Sequence, residues 1–296
     1  VSTTDTLPFV KLHGLGNDFV LVDGRSDARD FAGLAPFIGD RRFGIGCDQV
    51  LVVREDAELD LRMQVLNRDG SEAEMCGNGI RAFALWAWTR GELPADRPAR
   101  IATLAGPQSV TRDGGGRIRV DMGPPRLKAG DIDLDRHVFG LAADAEAAVL
   151  HRAGWPIDAG GRGVSMGNPH LVFRVGAVAE VPLADWGPRL ERDAAFPRRV
   201  NVEFVEVTGP QSIAVRVWER GAGATLACGT GACAAAVAAI REKWVAGPVA
   251  VRLPGGTLDI EWAPGGSVYM TGPATEVARG DIDLAALAAW KEGRSV

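Results

Sequence analysis

Apolar and polar positions alternate with a period of two along much of the chain, and this predicts short strands. Residues 117–122 place Ile118, Val120 and Met122 on one face. Residues 212–218 do the same with Ile213, Val215 and Val217. Residues 249–253, 258–262 and 268–270 follow, parted by Gly and Pro turns. Two segments break this rhythm. Residues 79–90 and 231–240 are apolar nearly all round at helical length, so each predicts a helix buried on every side. The second is built of small side chains and predicts tight surroundings.

The same short phrase opens both helices: Cys76-Gly77-Asn78-Gly79 and Cys228-Gly229-Thr230-Gly231. They lie 228 − 76 = 152 residues apart, about half of the 296-residue chain. The repeat predicts an internal duplication. The expected fold class is α+β, with two pseudosymmetric domains, each a curved, mostly antiparallel, barrel-like sheet wrapped around one buried helix. The charged, turn-rich stretch 127–135 after Pro124-Pro125 reads as the junction. The expected domains are therefore 1–127 and 128–275, with the tail 276–296 packing back on the first.

Composition narrows the function. The formal net charge of −5 disfavours nucleic acid and anionic membranes as partners. Residues 221–240 carry no charge, but Ala, Gly, Thr and Cys dominate them, so a membrane span is rejected. The first ten residues show no signal-peptide pattern, and a cytoplasmic protein is expected. Only four lysines occur, Lys11, Lys128, Lys243 and Lys291, none in a glycine-rich context that would suit a pyridoxal-phosphate Schiff base. No CxxC pair is present, and Cys228 and Cys233 stand five apart, which is not a usual zinc spacing. Neither a pyridoxal-phosphate lysine nor a zinc pairing stands out.

The remaining chemistry lies in the two Cys-Gly turns. A helix N-terminus offers free N–H groups and the positive end of a dipole, and glycines let a ligand approach the backbone. Such a place binds a carboxylate. The same field lowers the pKa of a thiol. Two of them suggest one carboxylate held between two helix ends with a sulfur on each side, an arrangement suited to moving a proton across an α-carbon. A cysteine taken alone reads better as a small buried hydrophobe, but the matching glycine turns favour the reacting role for Cys76 and Cys228. For Cys47, in Gly44-Ile45-Gly46-Cys47-Asp48, and for Cys233 that plainer role is the expectation.

Across nearly its whole length the chain resembles the diaminopimelate epimerase family. The segments that carry the resemblance begin with residues 11–20 (KLHGLGNDFV), Gly46-Cys47-Asp48-Gln49, Asn67-Arg68-Asp69-Gly70-Ser71-Glu72 and Met75-Cys76-Gly77-Asn78-Gly79-Ile80-Arg81. Next come Ser165-Met166-Gly167-Asn168-Pro169-His170, Arg199-Val200-Asn201-Val202 and Glu219-Arg220-Gly221-Ala222-Gly223. Ala227-Cys228-Gly229-Thr230-Gly231-Ala232 and Met270-Thr271-Gly272-Pro273-Ala274 complete the set. The resemblance implies interconversion of L,L- and meso-diaminopimelate without pyridoxal phosphate or metal, a site in the cleft between two domains, and a homodimer. It implies Cys76 and Cys228 as the acid–base pair, with His170 and Glu219 as auxiliary catalytic residues. It assigns the reacting carboxylate to Gly77, Asn78, Gly229 and Thr230. The rest of the substrate falls to Asn17, Gln49, Asn67, Asn168, Asn201, Glu219 and Arg220. Ala82 and Ala224 depart from residues common in the family, at positions outside the catalytic set. A proline-type two-cysteine racemase would share the thiols but need no grip on a distal carboxylate.

Overall fold

The structure is a computed structural model that describes residues 5–113, 115–147 and 149–292. Of the returning tail, residues 293–296 lie outside the described residues, as do residues 1–4 of the N-terminal stretch. The fold is mixed α+β and dominated by sheet. It divides into two compact units, one of Val1–Val120 with Pro273–Val296 and one of Asp121–Gly272.

The first unit runs β1 (Thr6–Gly14), β2 (Asn17–Asp23), α1 (Phe31–Ile38), β3 (Gln49–Arg54), β4 (Leu61–Asn67), β5 (Glu72–Ala73), α2 (Gly77–Thr89), β6 (Ala99–Thr103) and β7 (Gly106–Arg112). The strand β8 (Ile118–Asp121) carries the chain out of it. β1 and β2 form a hairpin, β2 and β3 are parallel across α1, and β3 and β4 are antiparallel. β4 and β6 are parallel across α2, and β6 and β7 form a second hairpin.

The second unit repeats this plan. It runs β9 (Arg162–Ser165), β10 (Pro169–Arg174), α3 (Leu183–Glu191), β11 (Asn201–Gly209), β12 (Ser212–Glu219), β13 (Gly223–Ala224), α4 (Gly229–Arg241), β14 (Val249–Leu253), β15 (Gly256–Trp262) and β16 (Val268–Gly272). β9 and β10 are antiparallel, β10 and β11 parallel across α3, and β11 and β12 antiparallel. β12 and β14 are parallel across α4, and β14 and β15 form a hairpin. The chain then returns to the first unit as β17 (Thr275–Asp283), which pairs antiparallel with β1, and ends in α5 (Ala285–Glu292).

Physical covering explains the burial pattern. Val20-Leu21-Val22 and Val50 to Val53 are buried without interruption rather than alternately, as befits strands covered on both faces. On one face α2 packs against β1, β2, β4 and β17. On the other, Phe31, Leu34, Phe37 and Ile38 of α1 join Leu7, Val22, Val52 and Ile282 in a core. In the second unit α4 packs against β9 to β12 and β14 to β16. Behind that sheet Trp155 meets Phe173 edge to face and Phe173 stacks on Phe204, with centroids 5.4 and 5.9 Å apart, in one core with Leu183 and Leu190 of α3. No helix among the described residues is long and apolar enough to cross a membrane.

Candidate active site

Both central helices begin two residues before the sequence pattern predicts, because a cysteine caps each. Cys76 and Cys228 hold extended backbone angles, and each sulfur accepts the N–H three residues on, from Gly79 and from Gly231, at 3.3 Å. A thiol thus fills the role that a Ser or Asp side chain usually plays at an N-cap. The glycines at N3 stand in close quarters, Gly231 the more tightly. A Cβ on Gly79 would sit 3.2 Å from Cys76 Cβ and 3.3 Å from Leu51 Cδ2; one on Gly231 would sit 2.8 Å from Glu203 Oε1.

In the first unit Cys76 is half-buried, with its sulfur 3.7 Å from Asn17 Oδ1. The Asn78 amide donates to the same oxygen at 3.2 Å. Asn17 is held in turn by Asp48, which accepts its Nδ2–H at 2.9 Å. Asp48 and Asp18 are tied together by the Arg41 guanidinium, at 2.7 Å from each, and Lys11 pairs with Asp18 at 2.6 Å. Burial pushes the Asp18 carboxyl up, but the bonds from Arg41 and Lys11 outweigh it and hold the group well below the usual carboxylate range. Gln49 and Asn67 form a separate pair, with Gln49 Nε2 donating to Asn67 Oδ1 at 2.9 Å. Asn67 also donates to Ser71 Oγ at 3.0 Å.

Arg81, fully buried in an otherwise apolar helix, orients this cap. It donates to the Gly77 carbonyl at 3.0 Å, to Asn78 Oδ1 at 2.8 Å and to the Pro273 carbonyl at 3.3 Å. A lone arginine within a buried apolar run is a signal for such a role.

In the second unit Cys228 is buried. Its sulfur lies 3.6 Å from Thr230 Oγ1, and Asn168 Nδ2 donates to that hydroxyl oxygen at 3.4 Å. Asn168 Oδ1 is 3.0 Å from His170 Nε2, and His170 Nδ1 is 2.7 Å from Glu203 Oε1. Glu219, at the end of β12, accepts the Thr225 hydroxyl. Asn201 donates to the Pro169 carbonyl at 2.9 Å and accepts the Arg220 backbone N–H at 2.9 Å. Its amide therefore fixes the strand ends that carry His170 and Arg220. Arg220 itself is exposed, and its guanidinium donates to the Arg198 carbonyl at 3.3 Å.

One expectation is corrected here. The Cys228 thiol is raised, not lowered, although it caps a helix N-terminus. Burial pushes it well up, the Glu219 and Glu203 carboxylates push the same way, and the Thr230 hydroxyl and Gly231 N–H only partly offset this. Desolvation of the thiolate outweighs the hydrogen bond from the helix end at this position. Cys47 is also buried, and burial pushes it up to about 11; Cys233 is fully buried in α4. Both match the structural role expected of them. Ala82 is buried in α2 and Ala224 is exposed on β13. Two surface cavities, of about 370 and 470 Å³, lie elsewhere, beside Arg25 and Asp60 and beside Arg174 and Trp244.

The profile of a family described as diaminopimelate epimerase matches residues 9–128 and 163–277, which include every residue of the two caps. The chain belongs to the diaminopimelate epimerase family. It is 46% identical over 285 residues to the diaminopimelate epimerase of Pelotomaculum thermopropionicum, covering 92% of this chain and 98% of that one. It is 47% identical over 290 residues to that of Moorella thermoacetica, covering 93% and 99%. Among solved structures, a phenazine biosynthesis protein of the PhzF family from Bacillus anthracis superposes with a TM-score of 0.66 at 15% identity, over 94% of this chain and 99% of that chain. A hydroxyproline epimerase from Agrobacterium vitis superposes at 0.63 and 13%, over 96% and 94%. These two show a shared fold. Both capped thiols lie within the segments that the family profile matches.

Proposed function

We propose that this protein interconverts L,L- and meso-diaminopimelate by a two-cysteine acid–base mechanism that uses no pyridoxal phosphate. The observation that carries the reading is the twice-built cap: a thiol at the N-terminus of a buried helix, in a chain of this family. The N–H groups of Gly77, Asn78, Gly229 and Thr230 hold the reacting carboxylate and stabilise the charge that grows on it as the α-proton leaves. The two sulfurs serve opposite faces of the α-carbon, one as thiolate and one as thiol, and exchange roles in the reverse direction. Cys228 rests as the thiol, because its surroundings disfavour the thiolate. A substrate ammonium beside Glu219 offsets that carboxylate's charge and eases the thiolate form when the direction reverses.

Asn17, Gln49, Asn67, Asn168, Asn201, Glu219 and Arg220 hold the rest of the substrate, and the binding energy of its distal end, which does not react, goes into orientation. On the family resemblance, the working form is a homodimer in the cytoplasm, which sedimentation of the purified chain checks.

The test is incubation with L,L-diaminopimelate in deuterated water. Net epimerisation is expected, with deuterium appearing first in the new stereoisomer. Cys76→Ala and Cys228→Ala should each abolish net conversion. Near-normal turnover in either variant, or equal early labelling of substrate and product, would reject the two-thiol mechanism.

A further inference from the structure

The duplication supplies an internal control for each polar group near the second thiol. Gln49 corresponds to Asn201, Asn67 to Glu219 and Cys76 to Cys228, each 152 residues apart (201 − 49, 219 − 67, 228 − 76). The same offset matches Leu51 with Glu203 (203 − 51 = 152). Register matches Phe19 with His170, since Phe19 lies opposite Gln49 as His170 lies opposite Asn201. All four of these residues have zero or near-zero exposure. Leu51 meets the Cβ position of Gly79, and Glu203 meets that of Gly231. An apolar pair in one unit is therefore an acid and an imidazole in the other, at the same place in the fold. Buried ionisable pairs are commonly neutral or unfavourable for stability compared with apolar residues of like volume. Phe19 and Leu51 show that this fold accommodates the apolar version, so packing does not account for His170 and Glu203.

The hydrogen bonds beside Cys228 run in one direction. An amide oxygen only accepts, so His170 Nε2, at 3.0 Å from Asn168 Oδ1, carries a hydrogen. Asn168 then turns its NH2 to Thr230 Oγ1. That oxygen accepts from the amide, which leaves its own hydrogen for the Cys228 sulfur. Glu203 Oε1 at 2.7 Å occupies Nδ1. Whether the shared proton rides on oxygen or nitrogen, Nε2 keeps its hydrogen. With Nδ1 unpartnered, the imidazole gains access to the opposite tautomer. Its Nε2 lone pair then favours a flipped Asn168 amide, and the Thr230 hydroxyl donates to the amide oxygen instead of the sulfur.

We propose that Glu203 is a positioning residue: by occupying Nδ1 of His170 it keeps a hydrogen on Nε2 and sets the direction of the hydrogen-bond chain that ends on the sulfur of Cys228. The inference rests on the reading of Cys228 as a reacting thiol. Two observations support it. Glu203 Oε2 has no hydrogen-bond partner among the described residues, so the carboxyl group's side-chain bonding is directed at His170. Burial also raises the Glu203 carboxyl above its ordinary range, which favours retention of a proton that it can donate to Nδ1.

The experiment labels the histidines of the full chain with ¹⁵N. The chain has only four histidines, so the His170 signals are assignable, and two-bond N–H correlations report the tautomer without substrate. In the unmutated protein and in Glu203→Gln, whose amide still donates to Nδ1, His170 should retain its Nε2 hydrogen. Glu203→Leu should release it to a mixture of tautomers. On diaminopimelate, kcat should fall roughly ten- to a hundredfold in Glu203→Leu, with KM changed by less than about threefold because Glu203 does not touch substrate. Glu203→Gln should retain most of kcat. A fixed Nε2 hydrogen in Glu203→Leu would overturn the proposal, as would an Nδ1 hydrogen alone in folded Glu203→Gln. A Gln variant that keeps the tautomer yet loses as much turnover as the Leu variant would also overturn it. If Glu203→Leu does not fold, the tautomer in Glu203→Gln decides alone. If the unmutated chain does not epimerise diaminopimelate, the functional reading fails while the tautomer result stands.

Discussion

Gly231→Ala and Gly79→Ala make a matched pair of perturbations with different expected outcomes. The added Cβ at 231 would lie 2.8 Å from Glu203 Oε1 and 3.2 Å from both Cys228 Cβ and Sγ. Ordinary contact begins near 3.4 Å, so the carboxylate must retreat by 3.4 − 2.8 = 0.6 Å. It is fully buried and bonded to His170 at 2.7 Å, so it has no solvent into which to swing. Overpacking of this kind costs roughly 1–3 kcal/mol. Loosening a buried hydrogen bond adds to that, while the gain in helix propensity offsets at most about 1 kcal/mol. A net loss of roughly 1–3 kcal/mol is expected for Gly231→Ala, with turnover falling as the sulfur is displaced. At Gly79 the nearest atoms stand at 3.2, 3.3 and 3.4 Å, and one of them is the mobile tip of Leu51. Its change should stay within about 1 kcal/mol of the unmutated protein. Urea unfolding followed by tryptophan fluorescence measures both. Equal stability of the two variants, or a Gly231→Ala protein with unchanged stability and turnover, would refute the reasoning.

Iodoacetamide at neutral pH should modify Cys76 before Cys228, Cys47 or Cys233, as peptide mapping by mass spectrometry would show. A raised thiol pKa means that the Cys228 thiolate fraction grows only above the usual thiol range, near 8.5, so its labelling should climb at higher pH than that of an ordinary thiol; faster labelling at Cys228 would contradict the burial account. Arg220→Lys keeps a charge but loses the planar fork, and a lost charge-assisted contact of roughly 1.5–3 kcal/mol corresponds to about one to two decades in kcat/KM. Steady-state kinetics on diaminopimelate should therefore show at least a roughly tenfold fall. Lysine, which lacks the distal carboxylate, should be a very poor substrate for the unmutated chain. Equal turnover of lysine and diaminopimelate would remove the distal grip.

The mixed, sheet-dominated fold was legible because its signals are local. Alternation marked β12 and β14 to within a residue, and the Cys-Gly phrases marked both buried helices. The helices α1 and α3 were not legible: they have eight and nine residues and carry Pro36 and Pro188 inside, so periodicity had little length to act on and a breaker argued against it. The cysteine caps shifted both central helices, because sulfur is not weighed as a capping atom. Glu203 escaped notice because the run Val202-Glu203-Phe204 reads as an ordinary strand with one polar position. Its environment depends on α4, far along the chain. The 152-residue offset that relates the two cysteines would have found it, by setting Glu203 against Leu51.

The pairing of β17 with β1 has a consequence for how the chain folds as it is made. Thr6 lies opposite Asp283, a separation of 283 − 6 = 277 positions, whereas the second unit is one unbroken segment. Contacts so distant in sequence are slow to form, and synthesis proceeds from the N-terminus. A nascent chain therefore holds all of the second unit's strands while the β17 edge of β1 still lacks its partner. The first unit to emerge from the ribosome is the last to be completed. An uncovered strand edge is a site for pairing with other chains, so the interval before β17 arrives is when this protein is most exposed to aggregation.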